Sequence, residues 1–147
     1  YVYGKDDEDY LQVRNQAFST LLGSETPHAP EQVAEYMKPD QILTGGVKIL
    51  RYMGTPIGVI RMEHENEGGK DYSFVAPLAV LPGHQGKGLG SNLLRAGIQI
   101  GYDNGYKDCM LTVNGENENA LKLYYKEGFE KMDEVVCYNY STRKSPQ

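Results

Sequence analysis

The stretch 83-GHQGKGLGSNLL-94 decides how the rest of the chain is read. Its glycines, Gly83, Gly86, Gly88 and Gly90, crowd a polar loop that turns into a helix-like run at Leu89. Glycine leaves no Cβ in the way, so consecutive N–H groups can curl around an anion. A helix start adds free donors and positive dipole, and Lys87 adds a charge at the rim. Two phosphate motifs fail here. The P-loop needs Ser or Thr after Gly86–Lys87, where Gly88 stands, and the dinucleotide fingerprint needs a glycine where Ser91 stands. What is present is Gln85-x-x-Gly88-x-Gly90, behind a strand-like run and opening a helix. A tight turn without ligand is the alternative.

Working outward, Tyr1–Tyr3 predicts a short strand. Residues 6–23 predict a helix, acidic at its start, with Leu11, Val13, Ala17, Phe18, Leu21 and Leu22 at helical spacing and Gly23 as its stop. Residues 29–43 predict a second helix bracketed by Pro30 and Pro39. The β-branched run 47–60 predicts a hairpin around Met53–Pro56, with a turn at 64–71 and a strand at 72–81. Then come a helix over 89–102, a strand at 109–113, a helix stopped by Gly128 and a last strand at 135–142. This order predicts an α/β (α+β) fold with a partly antiparallel sheet.

The chain has 147 residues, 39% of them hydrophobic, and a formal charge of −5. That is the size of one domain over 1–147. The mean hydropathy is −0.56 and the pI about 5.2. No basic patch suggests nucleic acid, and no apolar run has membrane-spanning length. Cys109 and Cys137 sit in separate apolar runs and read as buried thiols, so a cytoplasmic location is expected. Glu63, His64, Glu65 and Asp71 flank one turn without metal-ligand spacing and predict no metal site.

The run LAVLPGHQGKGLGSNLL (78–94) resembles motif A of the GNAT superfamily, the acetyl-CoA-dependent N-acetyltransferases, in Leu78, Val80, Pro82, Gln85, Gly88 and Gly90. The run LTVNGENENALKLYYKEGF (111–129) resembles its motif B in Asn117, Ala120, Leu123, Tyr124, Gly128 and Phe129. The resemblance implies a mixed sheet of six to seven strands with four helices, parting between the strands at 72–81 and 108–113. It implies that acetyl-CoA enters that gap. Gln85, Gly86, Lys87, Gly88, Leu89, Gly90 and Ser91 would hold its pyrophosphate, and Leu78 and Val80 its pantetheine arm. The Leu78 N–H would be the oxyanion donor. Pro77, without an N–H, predicts a bulge or a parting of strands there.

By the same resemblance Asn117 would reach the cofactor, with a plain helix cap as the alternative. Tyr124 would be the acid that protonates departing CoA, with core packing as the alternative. No carboxylate stands where some members carry a base, and Glu63, ending an apolar strand, is the best candidate. The implied activity is acetyl transfer to a primary amine by direct attack through a tetrahedral intermediate. The alternative is an acyl-CoA-binding or regulatory module without turnover. The implied partner is a small-molecule or peptide amine, and a homodimer stays open.

Overall fold

Two tight turns build the first half of the sheet. In the computed structural model, which describes residues 1–19, 26–113, 117–133 and 137–141, β1 (Ile42–Tyr52), β2 (Thr55–Glu67) and β3 (Lys70–Val80) form an antiparallel meander. Each turn places two successive residues at positive φ: Met53 and Gly54 at 50° and 83°, Gly68 and Gly69 at 61° and 83°. That conformation matches the twist of a two-residue hairpin. The second turn is therefore tighter than the predicted 64–71 loop. Its polar residues stay in the ladder as pairs such as Asn66–Asp71, joined side chain to side chain at 2.7 Å.

The sheet continues beyond β3 with β4 (Asp108–Thr112), β6 (Cys137–Ser141) and β5 (Glu130–Asp133), in spatial order β1-β2-β3-β4-β6-β5. β4 runs parallel to β3, and the remaining neighbours are antiparallel. Six strands stand at the lower end of the expected number. β5 was not among the predicted strands, because its four residues, EKMD, carry no apolar alternation. Both outer strands are irregular: β1 shifts register between Ile42 and Val47 and again between Leu50 and Arg51, and β5 between Lys131 and Asp133.

The N-terminus departs from expectation. Tyr1–Tyr3 is not a strand, since the Asp6 and Asp7 carboxylates accept from the Val2 and Gly4 N–H groups at 2.6 and 3.0 Å and fold the chain into a turn. Helix α1 covers Asp7–Phe18, and its predicted continuation through 20–23 lies outside the described residues. Helix α2 covers Pro30–Tyr36. It stops short of the predicted Leu43 because Pro39 disfavours helix at the residue before it and lacks an N–H itself, so Ile42 and Leu43 open β1 instead. Helices α3 (Leu89–Asp103) and α4 (Glu118–Lys126) fall close to their predicted spans.

Strand alternation splits the core into two layers. On β2, Ile60 and Met62 face α3, together with Leu93, Leu94 and Ile100. Ile57 and Val59 face the other way, onto Tyr10 and Val13 of α1 and Val33 of α2. Helix α3 lies close to the sheet through a glycine face. A Cβ on Gly97 would stand 2.5 Å from Ile60 Cδ1, and one on Gly101 2.9 Å from Ser73 Cβ. The second neighbour is rooted in the backbone and cannot swing away. Gly101→Ala is therefore expected to destabilise, because overpacking at about 1–3 kcal/mol outweighs the ~1 kcal/mol of helix propensity gained. Urea unfolding of the variant checks this, and a midpoint above wild type would refute it.

Candidate active site

The site begins where the sheet opens. β3 and β4 pair only through Ser73–Cys109 and Phe74–Met110, then part. At the same level β3 carries one extra residue against β2: the register passes from Ile60–Leu78 to Met62–Val75, so Arg61 faces Ala76 and Pro77 together. The Ala76–Pro77 bond is cis. The bulge and the parting expected at Pro77 are thus both present, and a bulge is where a residue without an N–H fits a sheet.

The phase of the ladder decides where the free backbone groups point. Leu81 N donates to Ile57 O at 2.8 Å. Bonded and non-bonded pairs alternate along an antiparallel ladder. Ala79–Val59 is therefore bonded, whereas Leu78–Ile60 and Val80–Gly58 are not. The N–H and C=O of Leu78 and Val80 accordingly point away from β2, toward the side β4 has left. Gln85 uses this: its Nε2 donates to Val80 O at 2.9 Å and ties the glycine loop to the end of β3.

The loop follows a 3-10 turn at Pro82–His84. Gly86 and Gly88 have φ of 80° and 81°, which other residues adopt only at a cost. A Cβ on either would meet nothing within 4 Å, so the backbone, not crowding, demands glycine. Gly88 caps α3, and Asn92 N is the first donor to close a helical bond, onto Gly88 O at 3.1 Å. Among the described residues, the N–H groups of 86–91 have no acceptor. Six donors curled at a helix start fit an anionic ligand.

Helix α4 closes the other side. A Cβ on Gly90 would come within 3.2 Å of Leu123 Cδ2, so α4 lies against the first turn of α3. Asn117 Oδ1 accepts from Ala120 N at 3.2 Å, the N-cap of the helix. Tyr124 is buried, with its ring 5.9 Å from that of Phe129. Its hydroxyl makes no hydrogen bond among the described residues, and burial pushes its pKa up to about 12. The phenol is thus both a core side chain and a group that keeps its proton at neutral pH.

Glu63 stands apart from this group. It shares the α1 face of β2 with Arg61, and both of its oxygens are engaged: Arg61 Nε donates to one at 3.0 Å and Gln41 Nε2 to the other at 3.3 Å. Arg61 Nη1 in turn donates to the fully buried Tyr10 hydroxyl at 2.9 Å. Sequence reasoning missed this network, because Tyr10, Gln41 and Arg61 are distant in sequence and follow no motif. It also missed Glu127. Ser91, expected on the first helical turn among the cofactor-binding residues, lies close enough to the Glu127 carboxylate for its hydroxyl to help hold that carboxyl below its usual range. Arg95 grips the same carboxylate at 2.6 and 3.1 Å. Among the described residues no cluster of His, Cys, Asp and Glu could hold a metal ion. A cleft of about 430 Å³ lies at the far end of β3, around Lys70, Tyr106 and Asp108, away from the loop.

The model of the acetyltransferase (GNAT) family matches residues 10–129, and the chain belongs to that family. It is 29% identical over 158 residues to a mycothiol acetyltransferase of Paenarthrobacter aurescens and 30% over 134 residues to one of Propionibacterium freudenreichii. The matches cover 97% and 90% of this chain but 45% and 43% of those proteins, so the chain spans a little under half their length. Among solved structures, a GNAT acetyltransferase of Brucella melitensis in complex with acetyl-CoA aligns with a TM-score of 0.75 at 22% identity, over 99% of this chain and 86% of that one. Arabidopsis thaliana Naa50, in complex with a bisubstrate analogue, aligns at 0.70 and 23%, over 95% of each.

The buried phenol has a consequence for alkaline stability. Below about pH 10 the folded and unfolded phenols both keep their proton, and between about 10 and 12 only the folded one does, so folding loses free energy as pH rises through that window. Wild type is expected to lose about 1 kcal/mol more than Tyr124→Phe between about pH 9 and 11. Urea midpoints at the two pH values measure the difference, and parallel losses would count against a buried, protonated Tyr124.

Proposed function

We propose that this chain is an N-acetyltransferase domain that binds acetyl-CoA in the gap between β3 and β4 and passes the acetyl group to a primary amine. The observation that carries the reading is the direction of the Leu78 and Val80 backbone groups, which face the opening beside six loop donors without an acceptor among the described residues. The N–H groups of Gly86 to Ser91 would hold the pyrophosphate, with Lys87 at the rim. Gln85 acts through its bond to Val80 O, setting the loop on the strand. Leu78 and Val80 would pair with the pantetheine arm, and Asn117 caps α4 and sets the helix beside it.

Bound acetyl-CoA supplies an activated thioester. The Leu78 N–H then donates to the thioester carbonyl oxygen, where charge grows during attack. Tyr124, protonated at neutral pH, delivers its proton to the departing sulfur. The amine must arrive neutral. Glu63 is the buried carboxylate of the α1 face, and each of its oxygens keeps a lone-pair site beyond the bond it accepts. It takes up the amine proton, directly or through water. Helices α1 and α2 wall the acceptor side. The burial of Tyr124 among Phe129 and α4 neighbours also suits a binding module, in which the phenol would only pack.

Two measurements test the reading. Leu78 N–H is expected to exchange fast in the free protein and to slow on addition of acetyl-CoA, and exchange unchanged by ligand would overturn the placement. Once an acceptor is found by screening amines with CoA-thiol detection, Tyr124→Phe separates enzyme from module. Loss of a positioned acid is worth about 10²–10⁴-fold, less here because a thiolate of pKa about 8.5 leaves tolerably without one. A fall in kcat of at least about tenfold with little change in acetyl-CoA affinity is expected. Equal turnover would leave the hydroxyl a spectator.

A further inference from the structure

Glu127 is an acid in the wrong place for its own helix. It is the C-cap residue of α4, where the helix dipole favours cations. Only 5% of its side chain is exposed, while Arg95, its partner, is 65% exposed. The carboxylate is tucked under the guanidinium, on the helix whose Leu123 lies against Gly90 in the first turn of α3, and the nearby Ser91 hydroxyl helps to hold its pKa down. Among the described residues the N–H groups of that turn have no acceptor. A carboxylate there competes for the same positive end that a phosphate would use.

We infer that Arg95 is a charge-screening residue for the phosphate site: its two-pronged grip on Glu127 cancels an anion that would otherwise repel the pyrophosphate of CoA from the start of α3. This rests on the acetyl-CoA reading given above. Three observations support it. The grip is a two-bond fork, at 2.6 and 3.1 Å, the geometry in which guanidinium and carboxylate pair most strongly. The Arg95 hydrogen bond, foremost, holds the Glu127 carboxyl below the usual range, with Ser91 and Lys126 adding to the effect against the opposing pull of burial. And Glu127 lies one helical turn beyond Leu123, whose Cδ2 would meet a Cβ on Gly90 at 3.2 Å, so α4 brings its carboxylate alongside the start of α3.

A screening role and a purely structural clamp predict opposite behaviour for the two partners. CoA affinity is measured by calorimetry at low salt on four proteins: wild type, Arg95→Ala, Glu127→Gln and the double variant. Screening predicts that Arg95→Ala binds CoA about fivefold or more weakly, since an unpaired anion then stands beside the helix whose start would hold the phosphates. Glu127→Gln binds at least as tightly as wild type, and the double variant returns to within about twofold of Glu127→Gln. The defect of Arg95→Ala shrinks as salt is raised. Arg95→Lys keeps the charge without the fork and stays near wild type. If Arg95→Ala does not fold, Arg95→Gln takes its place with the same expected loss, and unchanged CoA affinity in a folded, charge-deleted variant overturns the inference. A clamp predicts instead that every variant loses affinity together with thermal stability, which would overturn the inference. Wild type without measurable CoA affinity would remove the phosphate-site reading itself, and the inference with it.

Discussion

The rest of the molecule depends on a parallel pair of strands that agrees for two residues and then separates. A parallel ladder satisfies its backbone groups only while the strands stay together. When β4 leaves β3 after Met110, the outward groups of β3 lose their partner. The bulge at Ala76–Pro77 places the only residue of this stretch without an N–H at the level of the separation. The glycine loop then returns one contact, Gln85 to Val80 O, and leaves Leu78 without an outward partner among the described residues. A sheet with an unfilled slot is unfavourable by itself, and a ligand with alternating amides along its arm is a natural complement.

The two faces of the sheet are dressed differently around that slot. The α3 and α4 side is apolar up to Tyr124, so a proton held there stays held. The α1 side carries a buried ion pair, Arg61 with Glu63, bounded by Gln41 and Tyr10. Buried ion pairs are a weak source of stability, and well-packed apolar residues often serve a core better. The α1 side therefore gives up packing free energy to keep a carboxylate in place, while the other side gives up solvation to keep a phenol neutral.

The loop and its helix were legible in the sequence because glycine spacing is a local signal, and so was the α4 motif, where Asn117 and Ala120 to Tyr124 lie on adjacent turns. The bulge was legible too, since Pro77 announces itself by the donor it lacks. The first strand was misread, because two carboxylates, Asp6 and Asp7, outcompete sheet pairing for the nearby N–H groups. The turn at 64–71 was overdrawn because polar residues in a solvent-facing hairpin look like a loop until Gly68–Gly69 are recognised as sufficient. Contacts such as Tyr10 with Arg61, or Arg95 with Glu127, join residues tens of positions apart. No spacing rule encodes them, so the partners of Glu63 and Glu127 emerge only when the chain is folded.

The irregular outer strands have a bearing on crowded conditions. A smooth edge strand exposes a continuous row of unpaired groups, onto which another chain can add. Here one rim is broken by two register shifts, leaving Val47 to Leu50 as the longest unbroken run that includes its middle, and the other rim is a four-residue strand with a shift of its own. An incoming strand would find its hydrogen bonds out of step within a few residues. The sheet can thus hold an open slot at its centre for a ligand while offering little purchase at its margins to intermolecular β-aggregation.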